Sequence, residues 1–106
     1  MNDGSERVPI ACTLDAGALG ERVDEWRALV ASSVVALEAD ATSVRLVLDQ
    51  SDAALAAAAS LGQREKQCCT FFEVGIELGP EVRALYLRVP PEAEVAMADF
   101  VALLRS

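Results

Sequence analysis

The chain contains no histidine, only three cysteines in 106 residues, and few aromatic residues, which make up 5% of the sequence. The missing imidazole excludes catalytic pairs and triads that depend on histidine, and metal sites with histidine ligands. Of the nine basic residues only Lys66 is a lysine, and the formal net charge is −8. Because the basic residues are scattered singly, we expect no direct binding to nucleic acid or to an anionic membrane.

The sequence also lacks the run of roughly 18 to 20 apolar residues that a membrane-spanning helix needs. Its start, MNDGSER, has neither the cationic beginning nor the apolar stretch of a signal peptide. We therefore expect a cytoplasmic protein, in which thiols stay reduced. An odd number of cysteines then favours reduced thiols or metal ligands over a disulfide framework.

Length and composition predict one globular domain, since 53% of the residues are hydrophobic and 25% are charged. We expect residues 1–6 to form a flexible tail and residues 7–106 a single α+β domain, whose metal-binding role is argued from its cysteines below. Such a length buries a modest core without help from disulfides or metals. Folding is therefore not expected to depend on a ligand.

Hydrophobic periodicity predicts the secondary structure. Apolar residues recur three or four apart from Asp15 to about Leu37, which predicts an amphipathic helix. Alternation predicts strands over residues 43–50, 70–78 and 82–89, and a short first strand near Val8, which Pro9 limits to an edge. Two more helices are predicted, an alanine-rich one ending near Gln67 and a final one after two prolines.

The predicted element order is β-α-β-α-β-β-α. A two-layer sandwich is the simplest arrangement that buries the apolar face of every element. The sequence therefore predicts an α+β fold in which a mixed sheet of three to four strands carries the helices on one face.

Two adjacent cysteines, Cys68 and Cys69, occupy the predicted end of the second helix. A cysteine often acts as a small buried hydrophobe. Neighbours on a helix point about 100° apart, so two such residues are not expected to face one core, and at least one should be accessible. A disulfide between them is disfavoured, since adjacent Cα atoms lie about 3.8 Å apart and unstrained bridges need roughly 4.4 to 6.8 Å.

Metal chelation would use both thiols together. Cys12, just before the first predicted helix, could supply a third thiolate, because a helix N-terminus favours the thiolate form. Thiolates without imidazole favour soft ions: Hg(II) first, with As(III), Cu(I), Cd(II) and Pb(II) as further candidates. Structural zinc is disfavoured, since it needs four ligands that usually come in Cys-x-x-Cys pairs. No organic cofactor is expected.

Glu65 lies one helical turn before the cysteines. It could be a fourth metal donor, accept a hydrogen bond from a thiol, or supply a proton; cleavage of a carbon–mercury bond would need such an acid beside thiolates. The ordinary alternative is a solvated partner for Arg64, Lys66 or Arg22.

Three stretches, IACTLD, ERVDEWRALV and REKQCCTFFEVGIEL, resemble a small bacterial domain. Its features are a Cys-Thr-Leu near the start, an Arg/Trp-bearing first helix and Glu-x-x-Cys-Cys-x-Phe. With these features the chain looks similar to small stand-alone proteins and to C-terminal extensions of MerR-type regulators. Those regulators are associated with mercury or other thiophilic metals. The resemblance implies Cys12, Cys68 and Cys69 as ligands, with Glu65 beside them. This chain departs from the fused version because it shows no helix-turn-helix segment.

Three hypotheses follow. The first is binding of a soft ion by the three cysteines for resistance, delivery or sensing, with a homodimer or a partner metalloprotein as further candidates. The second is an organomercurial-cleaving or thiol-redox enzyme with Glu65 as proton donor. The third is an interaction module with inert buried cysteines and Trp26, Phe71 or Met97 at a dimer surface. Trp26, Phe71 and Phe72 would otherwise be ordinary core or an apolar wall around the ion.

Overall fold

The computed structural model describes residues 16–69 and 71–106, with side chains from residue 20 onward. In chain order the elements are helix α1 (Ala16–Ser33), strands β1 (Val34–Ala39) and β2 (Ser43–Leu48), helix α2 (Asp52–Cys68), strands β3 (Glu73–Leu78) and β4 (Arg83–Arg88), a 3-10 turn (Pro91–Ala93) and helix α3 (Glu94–Arg105). None of the described helices has the length and apolar character that crossing a membrane requires.

The four described strands form one antiparallel sheet in the order β1-β2-β4-β3. Helix α2 packs on β3 and β4, α3 packs on β2, and α1 packs against the other two helices. The predicted α+β sandwich is therefore confirmed. All pairings among the described strands are antiparallel, because β1 with β2 and β3 with β4 form hairpins and the central pair, β2 with β4, is antiparallel as well.

Strand β1 occupies residues that the periodicity assigned to the first helix. The helix ends at Ser33, and the chain from Val34 to Ala39 pairs with β2. The β-branched Val34 and Val35 favour a strand, and pairing with β2 satisfies the backbone donors and acceptors. The strand predicted near Val8 and the tail predicted at residues 1–6 lie outside the described residues.

The β1–β2 turn depends on Asp40. Its Oδ1 accepts hydrogen bonds from the backbone N of Thr42 and from the hydroxyl of Ser43, both at 2.9 Å. The Thr42 bond, followed by the Ser43 hydroxyl, lowers the pKa of Asp40 below its ordinary value. The turn therefore favours an ionised carboxylate.

Small residues bring α2 close to the sheet. The helix begins at a cap in which Ser51 Oγ accepts from the N–H of Ala54 at 3.1 Å. At Gly62 a Cβ atom would lie 2.9 Å from Val74 Cγ1 and 3.2 Å from Leu85 Cδ1. Because α2 lies this close to the sheet, Glu65 and Cys68 in its last turn are buried in the protein interior.

The helix-facing side of the sheet is buried in the two central strands and open at one edge. Burial falls along the chain from Phe72, which is 2% exposed, to Ile76 at 39% and Leu78 at 66%. The expectation that this whole face is buried is therefore wrong at its far end, because β3 is an edge strand that the helix layer covers only near its start. Val95, in the first turn of α3, is also exposed.

The opposite side of the sheet carries ion pairs and one aromatic–glycine contact. Arg45 binds Glu38 at 2.8 Å and Glu77 at 2.9 Å. The ring of Tyr86 lies across Gly75 of the neighbouring strand, in space that any side chain at residue 75 would need.

Candidate functional site

Helices α1 and α2 meet at a buried polar contact. Arg22 and Trp26, one turn apart on α1, both reach Oε1 of Glu65 on α2. The indole Nε1 of Trp26 donates at 2.9 Å, and Nη1 of Arg22 lies 3.3 Å away. An acidic side chain on α2 is thus held by two donors from one face of α1.

Glu65 is the one charged residue among the described residues that is counted as buried, with 1% of its surface exposed. Its Oε2 atom has no hydrogen-bond partner within the described part of the chain. Of the three solvated partners considered for it, Arg64 pairs with Glu25 instead, at 3.1 Å. The expectation of a solvated carboxylate is wrong, because the partner is Arg22 and the pair lies inside the protein.

The guanidinium of Arg22 also touches a thiol. Its Nη1 lies 3.8 Å from Sγ of Cys68, within donor distance of a sulfur acceptor. The Arg22 side chain is only 11% exposed. One buried cation therefore contacts both the carboxylate of Glu65 and the sulfur of Cys68.

Cys68 and Cys69 are both buried, at 8% and 0% exposure. The expectation of an accessible thiol is wrong, because it assumed that the helix continues through both residues. Helix α2 ends at Cys68, and Cys69 adopts an extended conformation with φ −125° and ψ 96°. The N–H of Cys69 still donates to Glu65 O at 2.9 Å, so the chain leaves the helix without turning either cysteine toward solvent.

Aromatic rings enclose this end of the helix layer. Trp26 meets Phe100 edge to face with centroids 5.2 Å apart, and Phe72 lies 5.6 Å from Phe100. Trp26 and Met97 are core residues, at 3% and 0% exposure, so a dimer surface built on them receives no support from their positions. Phe71 is half-buried and packs on Phe72.

The described part of the chain contains two of the three predicted metal ligands, Cys68 and Cys69. The described residues contain no group of three or more histidine, cysteine or acidic side chains arranged to hold an ion. Glu65, Cys68 and Cys69 therefore do not form a complete donor set by themselves, and the guanidinium of Arg22 contacts two of them. Cys12 lies outside the described residues, so the set of Cys12, Cys68 and Cys69 stays a prediction.

Sequence reasoning included Arg22 among the partners of Glu65 but missed the bond from Trp26. The available signal was the spacing of Arg22 and Trp26, which places both on one helical face. Comparison of the chain with protein-family models, with curated proteins and with solved structures returned no match.

Proposed function

We propose that the protein binds a soft thiophilic metal or metalloid ion, Hg(II) first, through the thiolates of Cys12, Cys68 and Cys69, for resistance, delivery or sensing. The observation that carries this proposal is that the adjacent Cys68 and Cys69 are both withdrawn from water at the end of α2, with a buried guanidinium against one sulfur. Thiolates without imidazole select soft ions over hard ones.

The surroundings of the two cysteines support binding in two ways. Both belong to the same buried cluster as Trp26, Phe72 and Phe100, and an apolar shell limits access of water to a bound ion. The N–H of Arg22 can donate to a coordinated sulfur as it donates to Cys68, and such outer contacts strengthen a metal site.

Cys68 and Cys69 supply only two thiolates. The site therefore needs either a third ligand or an ion that binds two thiolates. Hg(II) binds two thiolates in a linear complex, whereas As(III) and Cd(II) need more donors. Cys12 is the only other cysteine in the chain, and it is the third ligand in this proposal.

A titration tests the proposal. Purified protein is titrated with Hg(II) and separately with arsenite, and ultraviolet thiolate-to-metal absorption is followed. We expect saturation at one ion per chain, with binding weakened in Cys68→Ser and in Cys69→Ser and lost when both are replaced. Cys12→Ser should weaken As(III) more than Hg(II), because a linear Hg(II) complex needs only two sulfurs. Circular dichroism confirms that each variant is folded, and unchanged binding in both variants of the adjacent pair would refute the proposal.

The burial of both cysteines also favours a second candidate, an interaction module in which they are inert core residues. Reaction of the folded protein with an aromatic disulfide reagent distinguishes the metal site from the inert core. Slow modification of every thiol, together with no uptake of Hg(II), would favour the inert core. Fast uptake of Hg(II), which is small enough to enter, would favour the metal site even where the bulky reagent is excluded.

A further inference from the structure

Strand β3 lies at one edge of the sheet, and no other described strand pairs with its outer side. At the β3–β4 turn Gly79 N donates to Val82 O at 2.8 Å, which fixes which backbone groups of β3 face β4. These groups alternate along an antiparallel pair, so every second residue counted back from Gly79 bonds to β4. The N–H and C=O groups of the residues between them point outward, and these residues are Val74, Ile76 and Leu78.

The side chains of the same three residues are apolar and become uncovered along the strand. Val74 is half-buried, Ile76 is 39% exposed and Leu78 is 66% exposed. Open backbone groups and exposed apolar side chains therefore coincide at the same positions. An edge of this kind is a template for the addition of another strand.

The other edge of the sheet, β1, is less suited to strand addition. Its register with β2 shifts between Val34 and Ala36. Irregularities of this kind twist an edge and interrupt continuous pairing. Strand β3 pairs with β4 without a shift, so its outer edge is regular over Glu73–Leu78.

The acidic side chains of β3 lie on the other face of the sheet and are partly compensated within the chain. Glu73 lies 3.6 Å from Arg88, and Glu77 binds Arg45 at 2.9 Å. Arg45 also binds Glu38, so Glu77 shares its cation with a second carboxylate. Two such glutamates placed directly opposite each other on paired strands would repel. These charges therefore restrict the register that an added strand can take.

We infer that β3 pairs antiparallel with β3 of a second copy of this chain, with Ile76 opposite Ile76 on the two-fold axis. The pairing joins the two sheets into one continuous sheet and covers the exposed apolar side chains of both edges. The inference is independent of the proposed metal binding, because Cys68 and Cys69 lie outside β3.

Charge selects this register over its closest competitor. Outward-facing residues must pair with outward-facing residues, so a residue rather than a peptide bond lies on the axis. Only the registers centred on Gly75 and on Ile76 pair most of the strand. The register centred on Gly75 places Glu73 opposite Glu77. The register centred on Ile76 instead places Glu77 opposite Gly75, so no two glutamates face each other.

The position of Tyr86 fits the register centred on Ile76. The Tyr86 ring covers Gly75, and its hydroxyl oxygen overlaps the place that a Cβ atom of residue 75 would take. Directly opposite residues have Cβ atoms about 4.5–5.5 Å apart, so Glu77 of the second copy lies within reach of this hydroxyl. The phenol O–H can donate to that carboxylate, and symmetry repeats the bond on the other side of the axis.

Sedimentation of the full chain at several protein concentrations tests the inference. A contact of one six-residue strand per copy is small, so we expect a reversible dimer whose population grows with concentration. Ile76→Lys places two positive charges against each other on the axis and should raise the dissociation constant at least about tenfold. Val95→Lys, at an exposed valine of α3, is the matched control and should leave it unchanged. Circular dichroism shows that both variants are folded.

Two conservative variants test the register. Tyr86→Phe removes only the hydroxyl and should raise the dissociation constant about tenfold, because both symmetric bonds to a charged acceptor are lost. Glu73→Gln should leave the dissociation constant unchanged, since Glu73 faces no glutamate in the register centred on Ile76. A tighter dimer in Glu73→Gln would indicate the register centred on Gly75 and would overturn this assignment.

Three results would overturn the dimer itself. One is a parent protein that stays monomeric at every concentration, as it would if another segment of the same chain covered the edge. The others are a dimer that survives Ile76→Lys and a dimer that is lost in Val95→Lys. Hg(II) titration of the parent and of Ile76→Lys is a separate measurement, so failure of the dimer and failure of the proposed function are distinguishable.

Discussion

The indole nitrogen of Trp26 lies 2.9 Å from Oε1 of Glu65, although the two residues are 39 positions apart in the chain. The bond joins α1 to α2 and fixes the one buried carboxylate of the described residues beside the adjacent cysteines. Buried polar groups of this kind contribute most clearly when a partner is removed, because the remaining group is left without water and without a bond.

We expect Trp26→Phe to lower the free energy of unfolding by about 1–3 kcal/mol, because it leaves a buried carboxylate with one donor fewer. Urea unfolding followed by circular dichroism measures the change. In a Glu65→Leu background the bond no longer exists, so the same substitution should have a smaller effect. Equal effects in the two backgrounds would show that the loss comes from packing against Phe100 rather than from the hydrogen bond.

The Arg22–Glu65 pair should show strong coupling between its members. Arg22→Leu leaves the buried Glu65 without an ion-pair partner among the described residues, and we expect it to lower the free energy of unfolding by about 3 kcal/mol or somewhat more. Glu65→Leu leaves Arg22 with Glu25, 3.8 Å away, so we expect a smaller loss. The double Leu variant removes both charges and should be more stable than either single variant. Chemical denaturation of the parent, the two single variants and the double variant gives a double-mutant cycle. Strictly additive losses of stability would contradict a coupled pair.

Gly75 is required by the position of the Tyr86 ring. We expect Gly75→Ala to lower the free energy of unfolding by about 1–3 kcal/mol, because the new methyl group overlaps that ring and forces it to move. Gly20 is the matched control, since a Cβ there meets nothing within 4 Å and it lies in α1. Gly20→Ala should stabilise the protein by up to about 1 kcal/mol. Thermal unfolding compares the stabilities of the two variants. If Gly75→Ala were as stable as Gly20→Ala, the close contact between Gly75 and Tyr86 would be contradicted.

The turn at Asp40 should make stability depend on pH in the acid range. The pKa of Asp40 is lowered in the folded state, so the folded protein binds this proton less readily than the unfolded chain. Its contribution is present above the unfolded pKa, near the ordinary value of 3.8, and is lost as the pH falls through the folded pKa. We expect Asp40→Asn to be less stable than the parent at neutral pH and the difference to shrink on acidification. A difference that stays constant down to pH of about 2 would contradict this assignment.

Strands β2, β3 and β4 and the two later helices could be predicted because their patterns are local. Val44, Leu46 and Leu48 alternate against Arg45 and Asp49, and the structure buries all three. In contrast, Val30, Val34 and Leu37 fit both a helix and a helix followed by a strand. Only pairing with β2 decides that the chain turns into a strand at Val34. A signal was present in the β-branched pair Val34–Val35 followed by Asp40, a good turn residue.

By itself the sequence determined the α+β class, the position of α2 with Glu65 near its end and the two cysteines where it stops, and the absence of every histidine-based chemistry. These follow from residue identity and from hydrophobic periods, which are properties of neighbouring residues. The tertiary structure decided that Glu65 is buried, that Arg22 and Trp26 bind the same oxygen atom, and that both Cys68 and Cys69 face away from water. The physical reason is that a buried charge needs a partner from another element, and the packing of α1 on α2 selects that partner.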